Sequence, residues 1–301
     1  RTSTAIYDRT ADLNSASFFG EIEAPLQAWF KPWLGLRYDR FTGECTRNGA
    51  ETGTDPCADL PSTSHASPKL GVRSDLNPYV QLRASWAEGF ALPSNFIKYS
   101  LGASKLDPTV FRQTELGALL KFGTSASLDL AAYRIDSSDE VLTVSPGVYE
   151  NFGATRRNGV EAKLNWRPLD DWLLTLGWSG TDSEVRENAS PALVGKEVTG
   201  VPDAMTTLTL AYAPAHGVGG DMTARRVGSY AVDAANTLYS DAYTTVDLNL
   251  TYTSTGTLRY RAYAGVENLF GRKYYTSLSV SNGYQLVAPG APRTLRVGAQ
   301  F

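Results

Sequence analysis

The main shortage in this 301-residue sequence is of long apolar runs. None approaches the roughly 18 consecutive apolar residues that form a membrane-spanning helix. Cysteine, histidine and methionine each occur only twice, and the formal net charge of −3 gives no support for nucleic-acid binding. The missing runs do not exclude a membrane, because the strands of a transmembrane barrel carry only an alternating signal and keep the mean hydropathy low.

What the sequence does contain is strict alternation of apolar and polar residues, most clearly at its C-terminal end. One face carries Leu295, Val297, Ala299 and Phe301, and the other carries Arg296, Gly298 and Gln300. Because side chains alternate across a strand, this pattern predicts a two-faced strand that runs to the terminal residue. The closing strand of a barrel has this form, whereas the termini of soluble proteins tend to fray.

The same alternation recurs along the chain and predicts roughly thirteen strands of about nine to twelve residues, long enough to cross a bilayer obliquely. Helical periodicity is not convincing anywhere. The pattern breaks at residues 133–135, where we expect either a bulge or the end of the membrane zone. One representative strand places Val246, Leu248, Leu250 and Tyr252 against Asp247, Asn249 and Thr251.

The connections between these strands alternate between short and long. The short ones, rich in turn-forming Gly, Pro, Asn and Asp, lie at residues 77–78, 123–125, 170–171, 214–219 and 254–257. The long ones lie at about 43–66, 89–111, 142–157, 183–203, 230–242 and 270–291. A soluble sandwich has no reason to separate the two kinds, whereas an outer-membrane barrel turns short connections to the periplasm and long loops outward.

We therefore predict an all-β fold, an antiparallel up-and-down transmembrane β-barrel with an apolar face toward lipid and a polar face toward a wet lumen. The 16 Tyr, 11 Phe and 6 Trp suit the aromatic girdles of such a barrel. A soluble all-β binding module is the alternative, and detergent-free solubility would support it. The predicted polar face carries Glu161, Lys163, Asp247, Arg259, Arg261 and Arg296.

Several segments resemble the C-terminal part of a TonB-dependent outer-membrane receptor. They are similar to the family's "PKLG", "YAEGFRAPS", "ElG", "N.G.tr..GvE" and "v.NLFd.kY" stretches and to its closing strand. Ala91 departs from the pattern, because the family often has Arg there. The similar segments cover nearly the whole chain in the family's order: residues 67–72, 84–94, 114–117, 151–161, 266–275 and 290–301.

The resemblance implies a barrel of 22 strands with an N-terminal plug inside it, and thirteen strands supply only the last part of that wall. The odd count agrees, since complete single-chain bacterial barrels have even numbers. We assign residues 1–301 to the C-terminal portion of the receptor barrel, and place no separate plug, energy-coupling box or first strand in this chain. A C-terminal aromatic in such barrels resembles the signal read by the barrel-assembly machinery, which gives Phe301 that role.

The function implied by the resemblance is uptake of a scarce nutrient across the bacterial outer membrane, by default a ferric siderophore. External loops would capture the nutrient, and the plug would rearrange when the inner-membrane TonB complex pulls on it. No cofactor is implied. The alternative is a passive porin or a structural surface barrel without energy coupling, and an upstream plug would distinguish the two.

Ligand binding is expected at the external loops and the upper lumen wall. Aromatic side chains there could stack on a flat ligand, and basic ones could meet an anionic ferric chelate. The alternative places these aromatics in the upper girdle and pairs the arginines with lumen carboxylates. With only Met205 and Met222 present, copper is disfavoured, and haem rests on His65 alone. The candidates are Trp86, Phe90, Lys98, Tyr99, Tyr149, Arg156, Arg157, Tyr274 and Tyr275.

The two cysteines and two histidines suggest no catalytic or metal centre. In an oxidising compartment Cys45 and Cys57 are expected to form a disulfide that closes an external loop. A metal site with His65 is the alternative, but no ligand cluster accompanies it. Catalytic groups must lie within hydrogen-bond reach, and the topology puts His65 in an external loop and His216 in a periplasmic turn. We therefore expect no enzyme activity.

Overall fold

The computed structural model describes residues 9–27, 29–47, 62–93, 106–145, 148–151, 153–256, 258–281 and 284–300. Their secondary structure is almost entirely extended, as the alternation requires. The strands are β1 Arg9–Glu23, β2 Lys31–Arg47, β3 Thr63–Asn77, β4 Val80–Ala91, β5 Thr109–Phe122, β6 Ala126–Ser138, β7 Val141–Ser145, β8 Val148–Asn151, β9 Ala154–Trp166, β10 Trp172–Glu187, β11 Ala204–Tyr212, β12 Gly217–Val227, β13 Tyr230–Ala231, β14 Tyr239–Ser240, β15 Tyr243–Thr253, β16 Arg261–Glu267, β17 Tyr275–Ser281, β18 Tyr284–Pro289 and β19 Thr294–Gln300.

Thirteen of these strands form one antiparallel sheet, which confirms the predicted number. The order is β1-β2-β3-β4-β5-β6-β9-β10-β11-β12-β15-β16-β19, so each strand pairs with its predecessor in the wall. The other six form three hairpins, β7–β8, β13–β14 and β17–β18, within the long connections. A single 3-10 turn, Pro191–Leu193, lies between β10 and β11. Within the described segments, no helix has the length and apolar character needed to cross a membrane.

The connections are sorted by length to the two ends of the sheet, as predicted. Residues 24–30 form an additional turn between β1 and β2 that the sequence did not reveal. The other short turns are 78–79, 123–125, 167–171, 213–216 and 254–260. The long connections are 48–62, 92–108, 139–153, 188–203, 228–242 and 268–293.

Cross-strand register defines an apolar outer face of the sheet. Leu248 on β15 lies opposite Met222 on β12 and Val266 on β16, so the three side chains share this face. Its apolar side chains are not packed into a core: Leu295 is 76% exposed and Val297 81% exposed. Such exposure is expected of a face that meets hydrocarbon in a transmembrane barrel.

The inner face carries cross-strand ion pairs. The Arg83 guanidinium lies 3.0 Å from a Glu115 carboxylate oxygen and 2.7 Å from one of Asp129. Arg259, predicted on this face, instead lies in the turn that precedes β16, because that strand begins only at Arg261. The remaining inner-face pairs are Lys31–Asp75, Arg37–Asp39, Lys69–Glu21, Arg73–Glu23, Arg225–Asp247 and Arg296–Glu267.

Long side chains lie flat across glycines on this inner face. The Tyr133 ring covers Gly159 on the neighbouring strand, and its hydroxyl lies 3.1 Å from Thr181 Oγ1 one strand further on. A Cβ at Gly159 would lie only 2.2 Å from Tyr133 Cζ, so the ring needs the glycine. The same arrangement recurs for Trp33 over Gly71, Lys69 over Gly35, Arg83 over Gly117 and Tyr263 over Gly298.

The bulge expected at residues 133–135 is wrong. Strand β6 keeps one continuous register with β5 and with β9 through this segment. What changes there is polarity, since Ala132 on the outer face is followed by Arg134, whose Nε donates to Asn158 Oδ1 at 2.9 Å. The ladder continues past the apolar zone because its backbone hydrogen bonds do not depend on side-chain polarity. Strands are therefore longer than predicted, up to the 17 residues of β2.

Candidate functional site

Two loop hairpins and the top of β15 form a small packed unit at the end of the sheet with the long loops. Tyr230, Ala231 and Val232 in and beside β13 are buried, with exposures of 7%, 0% and 3%. The Tyr230 hydroxyl accepts a hydrogen bond from the Leu278 backbone N–H of β17 at 3.1 Å. This bond ties hairpin β17–β18 to hairpin β13–β14.

A buried asparagine, Asn268, holds the connection between β16 and β19 in place. Its side-chain amide donates to the carbonyls of Arg272 (2.8 Å) and Ala291 (3.0 Å), and its Oδ1 accepts from the Arg272 N–H (2.8 Å). Its own N–H donates to Asp247 Oδ1 at 2.9 Å. One side chain thus joins the beginning and end of a long loop and fixes both to the wall.

These elements enclose a cavity of about 510 Å³. Tyr243 and Tyr274 stack in its wall, with ring centroids 4.5 Å apart and planes 29° from parallel. The Tyr274 ring also lies over Gly290, where a Cβ would come within 2.2 Å of it. Tyr239 and Tyr275 complete an aromatic lining. Flat aromatic surfaces of this kind suit a planar or aromatic ligand group.

The cavity carries an excess of positive charge. Arg272, Lys273 and Arg293 line it and are exposed. Within the described residues none of the three has a carboxylate at ion-pair distance, in contrast to the inner-face pairs of the wall. Asp241 is the one acidic side chain among the described lining residues. The arrangement can therefore bind an anionic group without first breaking an ion pair.

Hydrogen bonds also order the neighbouring loops. Asn236 Oδ1 accepts from the Glu197 N–H at 2.7 Å, and its amide donates to the Glu197 carbonyl at 3.2 Å, joining the β10–β11 and β13–β14 connections. Partial burial and the Glu197 carboxylate raise the pKa of the Tyr239 phenol above its ordinary value of 10.0. The phenol therefore stays protonated at neutral pH.

The Asp233 carboxylate organises the tip of the β13–β14 connection. It accepts from the N–H groups of Leu238 (2.6 Å) and Thr237 (2.9 Å) and from the Thr237 hydroxyl (2.8 Å). The Leu238 N–H contributes most to lowering the pKa of Asp233 below its usual 3.8. A lowered folded-state pKa stabilises the loop above the ordinary value and loses that effect as pH falls through the lowered value.

This sign predicts a loop that is unchanged between pH 5 and 8 and loosens only in strong acid. Asp233→Asn should abolish the acid dependence and speed hydrogen exchange of the Leu238 and Thr237 amides at pH 7. Exchange rates of these two amides measured across pH check the prediction. Equal protection in Asp233→Asn and the parent protein would contradict it.

The predicted ligand residues do not converge on one place. Tyr274 and Tyr275 line the cavity. Arg157 lies on the inner face of β9, where its Nη1 donates to Thr155 Oγ1 at 3.0 Å. Lys98 and Tyr99 lie outside the described residues, and of Tyr149 only the β8 backbone is described.

Two further candidates lie on the outer face instead of the lumen wall. Trp86 shares a face with its ladder partners Leu70 and Thr114, which matches the girdle alternative. Arg156 is also outward, with its Nε donating to Asp136 Oδ1 at 2.6 Å. The expectation that these two line the upper lumen is therefore corrected by strand parity.

His65 is in β3 and not in an external loop as expected, because the strand begins at Thr63. Its Nε2 lies 3.3 Å from Glu88 Oε1, and its ring centroid lies 4.7 Å from that of Phe90. Phe90 also meets Phe41 edge to face, with centroids 5.8 Å apart. Phe90 thus belongs to an aromatic cluster with His65 rather than to the cavity.

The remaining sulfur and nitrogen ligands are scattered. His216 lies in a short turn, at the opposite end of the sheet from His65. Met205 and Met222 lie on opposite faces of adjacent strands. Cys45 is in β2, which extends further than expected, while its side chain, Cys57 and Phe301 lie outside what is described. In the described part no three metal-ligating side chains come together.

Sequence reasoning missed Tyr243, Arg272 and Arg293 as cavity residues, and it saw Asn268 only as part of a resembling segment. The cavity residues come from three separate stretches of chain, and no local pattern announces their meeting. The signal that could have found them is Asn268, a polar residue placed directly after the apolar end of β16. Such a residue commonly fixes a loop start through backbone hydrogen bonds.

A wide antiparallel sheet with an apolar outer face, a charged inner face and loops sorted by length defines an outer-membrane β-barrel protein. The family model described as "TonB dependent receptor-like, beta-barrel" matches residues 2–269. The chain belongs to this family, whose members are outer-membrane receptors of Gram-negative bacteria rather than enzymes.

Known relatives give the extent of the similarity. The chain is 24% identical to the probable TonB-dependent siderophore receptor PiuA of Acinetobacter baumannii, over 98% of this chain and 41% of PiuA. It is 26% identical to the ferrichrome receptor FcuA of Yersinia enterocolitica, over 57% of this chain and 23% of FcuA. The crystal structure of PiuA superposes with a TM-score of 0.81 at 20% identity, covering 97% of this chain and 43% of that one. The chain thus spans less than half the length of these relatives.

Proposed function

We propose that this chain is the C-terminal part of a receptor barrel that takes up a ferric siderophore by TonB-dependent active transport. The observation that carries the proposal is the cavity of about 510 Å³, lined by stacked Tyr243 and Tyr274 and by the unpaired cations Arg272, Lys273 and Arg293. A ferric chelate is bulky, often anionic and often aromatic, and each of these properties has a counterpart in the lining. The names of PiuA and FcuA supply independent support.

The proposed partners follow from the same interpretation. The plug and the TonB complex act through parts of the receptor beyond the strands described, and the barrel contributes the wall, the loops and part of the binding site. The barrel-assembly machinery is the proposed reader of Phe301. Of the earlier ligand candidates, Tyr274 and Tyr275 belong to the proposed site, and Arg157 on the inner wall remains a candidate contact below it.

The proposal is tested with the full-length receptor in detergent and a panel of ferric catecholate, hydroxamate and citrate complexes, by fluorescence titration. Arg272→Gln combined with Arg293→Gln should weaken binding of the preferred anionic chelate by about tenfold or more, since each charged hydrogen bond contributes about 1.5–3 kcal/mol. Lys121→Gln is the control, because it removes a charge at the opposite end of β5.

Two results would count against the proposal. If no ferric chelate binds, the cargo is wrong. If the double variant and Lys121→Gln bind equally well, the cavity is not the binding site. The alternative of a passive porin predicts uptake that persists when the proton motive force is collapsed, whereas the receptor requires that force.

A further inference from the structure

The outer face carries a group of three arginines just beyond its apolar zone. Arg112 on β5, Arg134 on β6 and Arg156 on β9 form what we call the outer arginine cluster. Arg112 and Arg156 lie opposite Asp136 on its two sides, and Arg134 is two residues from Asp136 along β6. Cα atoms in such diagonal positions are about 7–8 Å apart, and those two strands apart about 10 Å. The three guanidinium groups thus surround one small area of surface.

Each guanidinium is anchored in the same way. Arg112 Nε donates to Glu88 Oε2 at 2.8 Å, Arg134 Nε to Asn158 Oδ1, and Arg156 Nε to Asp136 Oδ1. Within the described residues, the terminal Nη groups of all three have no hydrogen-bond partner. An Nε anchor fixes the plane of the guanidinium and leaves the two-pronged edge that binds phosphate oxygens free.

The cluster retains net positive charge. Its arginines carry three charges, of which the carboxylates of Glu88 and Asp136 compensate two. Arg112 has half of its side-chain surface exposed and Arg156 about a third, at 50% and 31%. Arg134 is exposed and has no ion pair among the described residues. The cluster therefore presents orientated, solvent-accessible donors with one uncompensated charge.

The position of the cluster relative to the apolar zone identifies its surroundings. Leu116, Ala132 and Val160 are the last apolar outward residues of their strands, and each arginine follows two or four residues beyond. At about 3.3 Å per residue and a tilt of about 45°, this places the arginines about 5–9 Å above the hydrocarbon. Headgroups occupy about that depth, and Trp86 on the neighbouring strand lies where interfacial tryptophans are found.

We propose that the outer arginine cluster binds the phosphorylated headgroup of an outer-leaflet glycolipid. Phosphate oxygens would bridge the free Nη groups of Arg112, Arg134 and Arg156, with Trp86 beside the acyl chains. The bound lipid would fix the depth of the wall at strands β5, β6 and β9. This site faces away from the lumen and is separate from the proposed ferric chelate site.

The experiment uses the delipidated full-length receptor in detergent, with bound lipid counted by native mass spectrometry. The probe is a bis-phosphorylated, acylated glucosamine disaccharide, compared with its dephosphorylated form and with inorganic phosphate as competitor. Arg112→Gln, Arg134→Gln and Arg156→Gln together should weaken retention of the phosphorylated lipid by about tenfold or more. The dephosphorylated lipid should bind no better to the parent than to this variant.

A second variant moves the result in the opposite direction. Glu88→Gln combined with Asp136→Asn removes the two compensating carboxylates and should strengthen retention several-fold. An ion-pair network with only a structural role would lose stability in both variants and change lipid retention in neither. The proposal is overturned by equal retention in the parent and the arginine variant, by weaker retention in the carboxylate variant, or by complete displacement with millimolar inorganic phosphate.

Discussion

Leu248→Arg should lower the free energy of folding into lipid by about 2–4 kcal/mol, the cost of a guanidinium near the bilayer midplane. Leu248 lies in the middle of β15 on the outer face, between Met222 and Val266. Its neighbour Asn249 points inward, where its amide donates to Asp221 Oδ2 at 3.0 Å. The matched variant Asn249→Arg keeps its new charge in the polar lumen beside an acid.

The two variants carry the same new side chain one residue apart, so only the face differs. Folding of the full-length receptor into lipid vesicles, followed by titration with denaturant, measures the difference. Asn249→Arg should fold with nearly the parent stability. Similar losses in both variants would mean that the assignment of outer and inner faces is wrong.

Gly159→Val should destabilise the barrel by about 1–3 kcal/mol, the usual cost of overpacking. The new side chain would occupy the space of the Tyr133 ring and break the hydrogen bond between its hydroxyl and Thr181. Gly177 on β10 is a matched control, because it lies on the same inner face and a Cβ added there would have no atom within 4 Å. Valine favours strands, so Gly177→Val should be neutral or slightly stabilising.

Thermal unfolding of the two full-length variants in the same detergent measures the contrast. The double change Tyr133→Ala with Gly159→Val should recover part of the loss, because the ring that clashes is gone. A Gly177→Val protein as unstable as Gly159→Val would show that the tyrosine–glycine contact is not the cause.

Alternation allowed the wall to be predicted because it is local. The parity that puts Leu248 outside and Asn249 inside is visible in any short stretch of β15, and turn residues mark where each strand reverses. The same parity also placed Trp86 with Leu82 and Ala84 on the apolar face, so its outward direction was available from the sequence. The ligand assignment failed there because aromatic character was weighed above position in the strand.

Strand ends and the cavity could not be predicted, for different reasons. Polar residues such as Arg134 and Asn158 carry no sign that a ladder continues through them, since the ladder depends on backbone pairing with both neighbours. The cavity depends on contacts between segments far apart, which the side chain of Asn268 and the bond from Leu278 to Tyr230 bring together. No periodic pattern encodes such meetings.

The unequal lengths of the strands give the barrel a sloping rim. Strand β2 has 17 residues and continues beyond its last apolar outward residue, whereas β16 and β19 have 7 each. An excess of about six residues over a membrane crossing raises one side of the wall by about 14 Å at a tilt of about 45°. The cavity lies beside the low side, at the top of β15 and β16. A molecule arriving from outside meets the high side first and is directed across the mouth toward the tyrosines and cations on the low side.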